Sequence, residues 1–225
     1  MRGLIVNADD YGLSPGVNRG IAESHRDGIV TSTSLLVDTR FSAEAAATSA
    51  ELPGLSVGLH ADLSAAVAES GAEASAALCV EELERQIARF HSLTGRWPTH
   101  VDSHHNAHRA QALNRSFVNF GERHGLRVRE HCEVQYVSAY YGRWGGCTHP
   151  EQIGIEGLEG ILGSSDDDLI ELACHPGYVD GSLRSSYRRE RELELRTLCD
   201  KRVPQILDEL GLALLDSQLQ TPISA

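Results

Sequence analysis

The chain has 225 residues, enough to bury a large core without disulfide staples, and 41% hydrophobic with 23% charged residues is ordinary for a globular protein. Its formal net charge of −12 excludes nucleic acid and anionic membranes as natural partners, because both would be repelled. Aromatic residues make up only 5%, too few for an extensive base-stacking platform.

Gly3–Ala8 is a short apolar run that ends on Asp9-Asp10, and it reads as a buried parallel strand with chemistry at its C-terminal end. Ser14-Pro15 reads as the cap and first position of a helix that Asp27-Gly28 closes. Val30–Val37 is a second strand. Phe41–Glu51 is alanine-rich and helical, and Leu55–His60 is a third strand that again ends on a polar residue. Ala61–Ala77 is small, polar and alanine-rich, and reads as a mobile loop or lid. Leu83, Ile87 and Phe90 mark one face of a helix over Val80–Leu93.

Thr99–Ser103 is a fourth strand running into a histidine cluster. Ala110–His124 is helical, Leu126–Arg129 is a fifth strand, and Glu133–Thr148 carries Tyr136, Tyr140, Tyr141 and Trp144 without a regular period. Pro150–Leu162 reads as a helix weakened by glycine. Leu169–His175 is a sixth strand, followed by helices over Tyr187–Asp200 and Pro204–Leu210 and a last strand, Leu212–Leu215. Strands and helices thus alternate about seven times. This is the pattern of one α/β domain over residues 1–225, with a parallel sheet either open or closed into a barrel. In both forms the site lies at the C-terminal ends of the strands.

The polar residues fall at those ends. Asp9 and Asp10 share a site only if the strand turns there, which Tyr11-Gly12 permits; otherwise Asp10 caps the next helix. His60 ends the third strand. His100, Asp102 and His104 share one face by the strand's period of two, and His104 and His108 would share a face if a helix began there. Neutral imidazole is the commonest transition-metal ligand, and a carboxylate such as Asp102 is its usual orienting partner. His175, in Cys-His-Pro-Gly, lies far in sequence from the cluster and suits a general acid, with Gly177 leaving room for a ligand to approach. One carboxylate and two histidines make a divalent-metal site with open positions. A second carboxylate can then act as base and a protonated histidine as acid. No P-loop, dinucleotide Gly-x-Gly-x-x-Gly or Gly-x-Ser-x-Gly elbow is present. Five cysteines without CxxC spacing indicate neither a disulfide framework nor a thiolate zinc site. The chain lacks a run of about 20 apolar residues, and its N-terminus lacks a signal-peptide pattern, so a cytoplasmic location is expected.

Taken together, Asn7-Ala8-Asp9-Asp10-Tyr11-Gly12, Gly28-Ile29-Val30-Thr31-Ser32-Thr33, Gly58-Leu59-His60, Thr99-His100-Val101-Asp102-Ser103-His104-His105 and Cys174-His175-Pro176-Gly177 resemble the YdjC-like carbohydrate deacetylases, which include the chitooligosaccharide deacetylases. The resemblance implies a distorted, TIM-like (β/α) barrel of about seven parallel strands. It implies a divalent metal, magnesium or zinc, and hydrolysis of the acetyl group on an N-acetylated amino sugar or oligosaccharide. Carried over by motif, Asp10, His60 and His104 are the metal ligands, Asp9 the base and His175, protonated, the acid. Two departures touch the sugar pocket: a short, bland Ala61–Ala77 segment, and Asn106 where some members carry a further histidine. The rival functions are hydrolysis of another amide or ester at the same metal, and a metal-containing sugar-binding protein without turnover. Tyr140, Tyr141 and Trp144 are open to two readings, stacking on sugar rings or packing. The sugar's identity, the roles of His105 and His108, and association into a homo-oligomer are not readable from the residues.

Overall fold

The computed structural model describes residues 2–69 and 71–221. The first strand, β1 (Arg2–Tyr11), is buried from Gly3 onward. It has sheet neighbours on both edges, and its side chains are buried on both faces, which is why its sequence reads as a nearly continuous apolar run. A serine cap follows as the sequence predicts: the Ser14 hydroxyl accepts the Val17 N–H at 3.2 Å and Pro15 opens α1 (Pro15–Arg26). Then come β2 (Ser32–Leu35), α2 (Ser42–Ala50) and β3 (Ser56–Ala61).

The expected loop at Ala61–Ala77 is largely helical instead. It holds α3 (Ser64–Ala68) and the start of α4 (Ala72–Thr94), with Ser70 outside the described residues. Alanine has the highest helix propensity, and Leu63 and Ala66 are fully buried, so the segment has both a local and a tertiary reason to be ordered. Helix α4 closes on Gly95, whose φ of +69° suits glycine at this position.

Next are β4 (His100–Ser103), a 3₁₀ turn over His104–Arg109, α5 (Gln111–His124) and the short β5 (Arg127–Val128). The aromatic stretch after it holds three strands that its sequence conceals. β6 (Gln135–Val137) joins the main sheet, while β7 (Arg143–Trp144) and β8 (Cys147–Thr148) form a hairpin. The hairpin turns on Gly145-Gly146, both at positive φ, the conformation that a two-residue hairpin turn needs. The helix expected over Pro150–Leu162 is split at Gly154 into α6 (Pro150–Ile153) and α7 (Ile155–Gly163). The chain ends with β9 (Leu169–Cys174), α8 (Arg189–Leu198), α9 (Val203–Glu209) and β10 (Leu212–Leu214).

Seven parallel strands run β5-β4-β3-β2-β1-β9-β6 across the sheet. β10 pairs with Arg2–Leu4 of β1, sharing that edge with β2, which pairs further along at Asn7–Tyr11. The sheet curls into a half-barrel, the distorted barrel expected. Side chains cross the gap between its two sides: Arg127 and Arg129, at the β5 end, both reach the Glu171 carboxylate of β9, the strand next to the β6 end.

Two packing details generate predictions. A Cβ on Gly20 of α1 would stand 2.5 Å from the Gly177 Cα, so the glycines let α1 lie against the loop after β9. The Gly177 gap is therefore filled by α1 rather than kept for a ligand. Alanine is worth about 1 kcal/mol over glycine inside a helix. Overpacking against rigid backbone costs about 1–3 kcal/mol. Gly20→Ala is expected to lower stability, measured by urea unfolding; an equally or more stable variant would refute the close packing.

The second detail is His100. It is buried beside Gly58, with Nδ1 3.0 Å from Thr99 Oγ1 and no partner for Nε2. Burial first, and then the nearby Arg127 guanidinium, push its pKa down from 6.5 to about 4. The unfolded chain thus binds a proton that the folded chain refuses. This contribution to stability is complete above pH 6.5 and is lost as pH falls toward 4. Urea midpoints measured from pH 7 to 4.5 should fall more steeply for the wild type than for His100→Asn.

Candidate metal centre

Strand β1 delivers two adjacent carboxylates to one cavity by breaking its own regularity. The register with β2 shifts between Ala8 and Tyr11, and Asp10 takes a φ of +71°. Aspartate is among the few residues that tolerate this left-handed conformation. The bend turns Asp9 and Asp10 toward the same space, so Asp10 is not the helix cap; Ser14 is. His60 arrives near the end of β3, His104 directly after β4 and His175 directly after β9. All five residues expected from the sequence line one cavity of about 590 Å³.

Three of their atoms converge. Asp10 Oδ1 lies 3.3 Å from His60 Nε2 and 3.1 Å from His104 Nδ1, and the two nitrogens are 3.4 Å apart. Metal–ligand bonds of about 2.0–2.2 Å, at angles from 90° to tetrahedral, place neighbouring donors about 2.8–3.6 Å apart. The triangle therefore has the dimensions of a cation's donor set. Nδ1 of His60 lies 2.6 Å from Asp102 Oδ1, so the orienting carboxylate is the one the sequence suggests, and Nε2 is left facing Asp10 and His104. Asp9, His60 and Asp102 also lie close together, but Arg129 sits on both carboxylates and already supplies the positive charge.

Beneath the triangle runs a buried ionic network. The Arg129 guanidinium, 1% exposed, donates to both Asp9 oxygens at 2.7 and 2.8 Å and to Glu171 at 2.7 Å, and lies 2.7 Å from Asp102. Arg191 donates to Asp10 Oδ2 at 2.5 Å. Four buried carboxylates (Asp9, Asp10, Asp102, Glu171) thus face three guanidiniums (Arg127, Arg129, Arg191), leaving one negative charge when His60 is neutral. A proton on His60 balances that charge in the metal-free protein, and a cation at the triangle would take the proton's place. Burial opposes ionisation of Asp9, but Arg129 overrides it and holds the carboxyl below its usual range. The same contest, with Arg191 as the counter-charge, keeps Asp10 well below it. Burial also disfavours a charged His60, yet Asp102 and Asp10 outweigh it and raise the imidazole to about 10.

His175 departs from expectation in its charge. Burial pushes its pKa down to about 4, with Asp9 and Asp10 pulling up and Arg191 pushing down. The resting imidazole is therefore neutral at pH 7, not protonated. Its backbone N–H donates to Glu194, Tyr141 meets the ring edge-on at 5.9 Å, and Nδ1 has no hydrogen-bond partner.

The other histidines divide. His105 and Asn106 take φ of +56° and +51°, which breaks any helix there. His104 and His108 therefore do not share a face. His108 is buried between Ser103 Oγ (2.6 Å) and Glu130 (3.0 Å) and stacks on Phe117, while His105 lines the cavity and packs on the His104 ring. Tyr140 is core, donating its hydroxyl to the Ile153 carbonyl at 2.9 Å. Tyr141 is 41% exposed and stacks on Tyr187; Trp144 is 48% exposed and lies flat on His149.

Sequence reasoning missed Arg129, Glu171 and Arg191. Arg127-Val-Arg129 carried a faint cue, since alternation puts both arginines on one face of a strand. Arg191, within Arg-Glu-Arg-Glu-Leu-Glu-Leu, carried none.

A family model described as YdjC-like protein matches residues 3–209. A chitooligosaccharide deacetylase from Enterobacter sp. (strain 638) is 33% identical over 247 residues, covering 94% of this chain and 96% of the relative. A carbohydrate deacetylase from Thermoanaerobacter pseudethanolicus is 31% identical over 247 residues, covering 95% and 97%. Among solved structures, a protein from Enterococcus faecalis V583 named for cellobiose-phosphate cleavage superposes with a TM-score of 0.80 at 24% identity, covering 96% of this chain and 98% of that one. A family 4 carbohydrate esterase from Streptomyces lividans gives 0.59 at 12% identity, covering 99% and 97%. These two likenesses concern the fold. The family match, spanning nearly the whole chain together with the relatives above 30% identity, means that this chain belongs to the YdjC-like protein family.

Proposed function

We propose that the chain is a metal-dependent hydrolase that removes the acetyl group from N-acetylated amino sugars or their oligomers. Asp10, His60 and His104 hold the metal, Asp9 is the base and His175 the acid. The donor triangle of Asp10, His60 and His104, in one cavity with Asp9 and His175, carries this reading. The curated relatives, named as deacetylases of chitooligosaccharides and carbohydrates, support the substrate class. One carboxylate and two imidazoles suit zinc better than magnesium, which favours oxygen donors. A divalent cation there would supply Lewis acidity toward the amide carbonyl and lower the pKa of a water molecule.

The chain's own residues do the rest. Arg129 keeps Asp9 ionised and aimed, so the carboxylate can accept a proton from the attacking water. An amine leaves only when protonated. His175, neutral at rest, gains affinity for a proton as negative charge builds on the attacked oxygen; it takes one from solvent and delivers it to the departing nitrogen, and Asp9 returns the proton it took from water to solvent. Tyr141, exposed at the cavity's edge, offers a face to a sugar ring. Among the described residues, no helix is long and apolar enough to cross a membrane. Five unpaired cysteines fit a reducing compartment, and we place the enzyme in the cytoplasm.

His104→Ala is expected to lose bound metal and deacetylase activity together; metal analysis of the purified variant decides, and full occupancy would remove His104 from the ligands. Asp9→Asn should keep its metal and lose about 10²–10⁴ in kcat, the usual weight of one acid–base group. Loss of metal instead would exchange the roles of Asp9 and Asp10. His175→Ala should keep its metal and lose far more rate on an acetamide than on an acetate ester with a good phenolate leaving group, which departs without a proton. Equal losses on the two substrates would make His175 a structural residue.

A further inference from the structure

We propose that Arg191 is a positioning residue that fixes Asp10 as a one-oxygen donor and locks that donor to the strand end carrying His175. The inference rests on the metal reading above.

The guanidinium of Arg191 comes from α8, the element furthest along the chain to reach the cavity, and the residue is 2% exposed. Nη2 donates to Asp10 Oδ2 at 2.5 Å. Nε donates to the Tyr187 carbonyl at 3.1 Å, and Nη1 reaches the His175 carbonyl at 3.4 Å. The residue's own carbonyl accepts the Gly177 N–H at 3.2 Å. A planar guanidinium anchored on three sides cannot follow Asp10 if the carboxylate rotates.

The consequence lies in the two oxygens of Asp10. Oδ2 is committed to Arg191, so only Oδ1 faces His60 and His104. A carboxylate free to turn about its Cβ–Cγ bond can present both oxygens to a cation and occupy two positions. Held as it is, Asp10 occupies one, and the remaining positions stay open for water and for the carbonyl oxygen of a substrate. Because the same guanidinium grips the His175 carbonyl, the Asp10 side and the His175 side of the cavity are set relative to each other by one side chain. Conserving the charge alone does not reproduce this: a lysine can reach Asp10 but cannot span all three partners.

The test uses the full chain, stripped of metal and titrated with zinc, and with cobalt as a spectroscopic stand-in, in the wild type, Arg191→Gln and Arg191→Lys. Far-ultraviolet circular dichroism and metal-free thermal unfolding monitor the fold separately. Arg191→Gln is expected to bind zinc about 10–100-fold more weakly, the usual weight of a residue that orients a metal ligand. Its cobalt d–d spectrum should change in shape and lose intensity as Asp10 turns and coordination rises. Arg191→Lys, keeping a charged donor on Oδ2, should recover most of the zinc affinity and the wild-type cobalt spectrum, while kcat stays low because the His175 contact is gone. A glutamine variant with wild-type affinity and spectrum overturns the proposal. So does a lysine variant that loses as much as glutamine, since the role would then be structural. If the glutamine variant does not fold, the lysine variant decides alone: wild-type zinc affinity and cobalt spectrum with a lowered kcat support the proposal, and weakened zinc binding with an altered spectrum overturns it. A wild type that takes up neither zinc nor cobalt overturns the reading of the metal centre itself, which separates that failure from a failure of Arg191.

Discussion

One guanidinium organises this molecule. Arg129, directly after the short edge strand β5, crosses the lumen and meets three carboxylates from β1, β4 and β9. Those strands lie on opposite parts of a sheet that hydrogen bonds alone leave open, because β5 and β6 are its unjoined ends. The ion pairs thus stand in for the missing ladder. They also decide which way the carboxylates face: Asp9 is held at the cavity, and Asp102 holds His60.

Burying so much charge is costly, and an apolar core of similar volume would often be at least as stable. What the network confers is orientation. The acidic groups that face the cavity are each held by a fixed cation: Arg129 grips both oxygens of Asp9, while Arg191 takes one oxygen of Asp10 and leaves the other turned inward. His60 follows the same logic one bond further out, with Asp102 on one nitrogen and the donor triangle on the other. Rigid placement of this kind lets a site act on a substrate without reorganising as charge develops.

Backbone strain is concentrated in the same place: of the five non-glycine residues at left-handed φ among the described residues, only Glu130 and Leu219 lie away from the cavity. Asp10, His105 and Asn106 occupy left-handed φ although none is glycine, and all three line the cavity. At Asp10 the strain is what gives two neighbouring side chains a common direction. At His105 and Asn106 it ends the helix that would have carried His108 toward the metal centre, and sends that histidine into the packing around Phe117.

How much was legible differs by residue, for physical reasons. Strand ends that carry Asp9-Asp10, His60, His104 and His175 could be read from a linear pattern, because hydrophobic runs mark strands and parallel sheets gather their C-terminal ends on one rim. The alternation of strands and helices likewise pointed to a parallel α/β sheet, and the motifs to its family. The helical nature of Ala61–Ala77 was obscured by its blandness, and β6 to β8 by aromatic residues that follow no period. The pairings that give the site its direction could not be read along the chain: Arg129 and Glu171 are 42 residues apart, and Arg191 and Asp10 are 181 apart. An arginine in a charged helix looks like a solvated one until the fold has buried it against a carboxylate. The sequence by itself therefore determined which groups would gather and what chemistry their types allow. Only the tertiary structure decided which carboxylate oxygen and which imidazole nitrogen face the cavity, and that the His175 imidazole rests neutral, because facing and charge depend on counter-ions and burial brought together from distant parts of the chain.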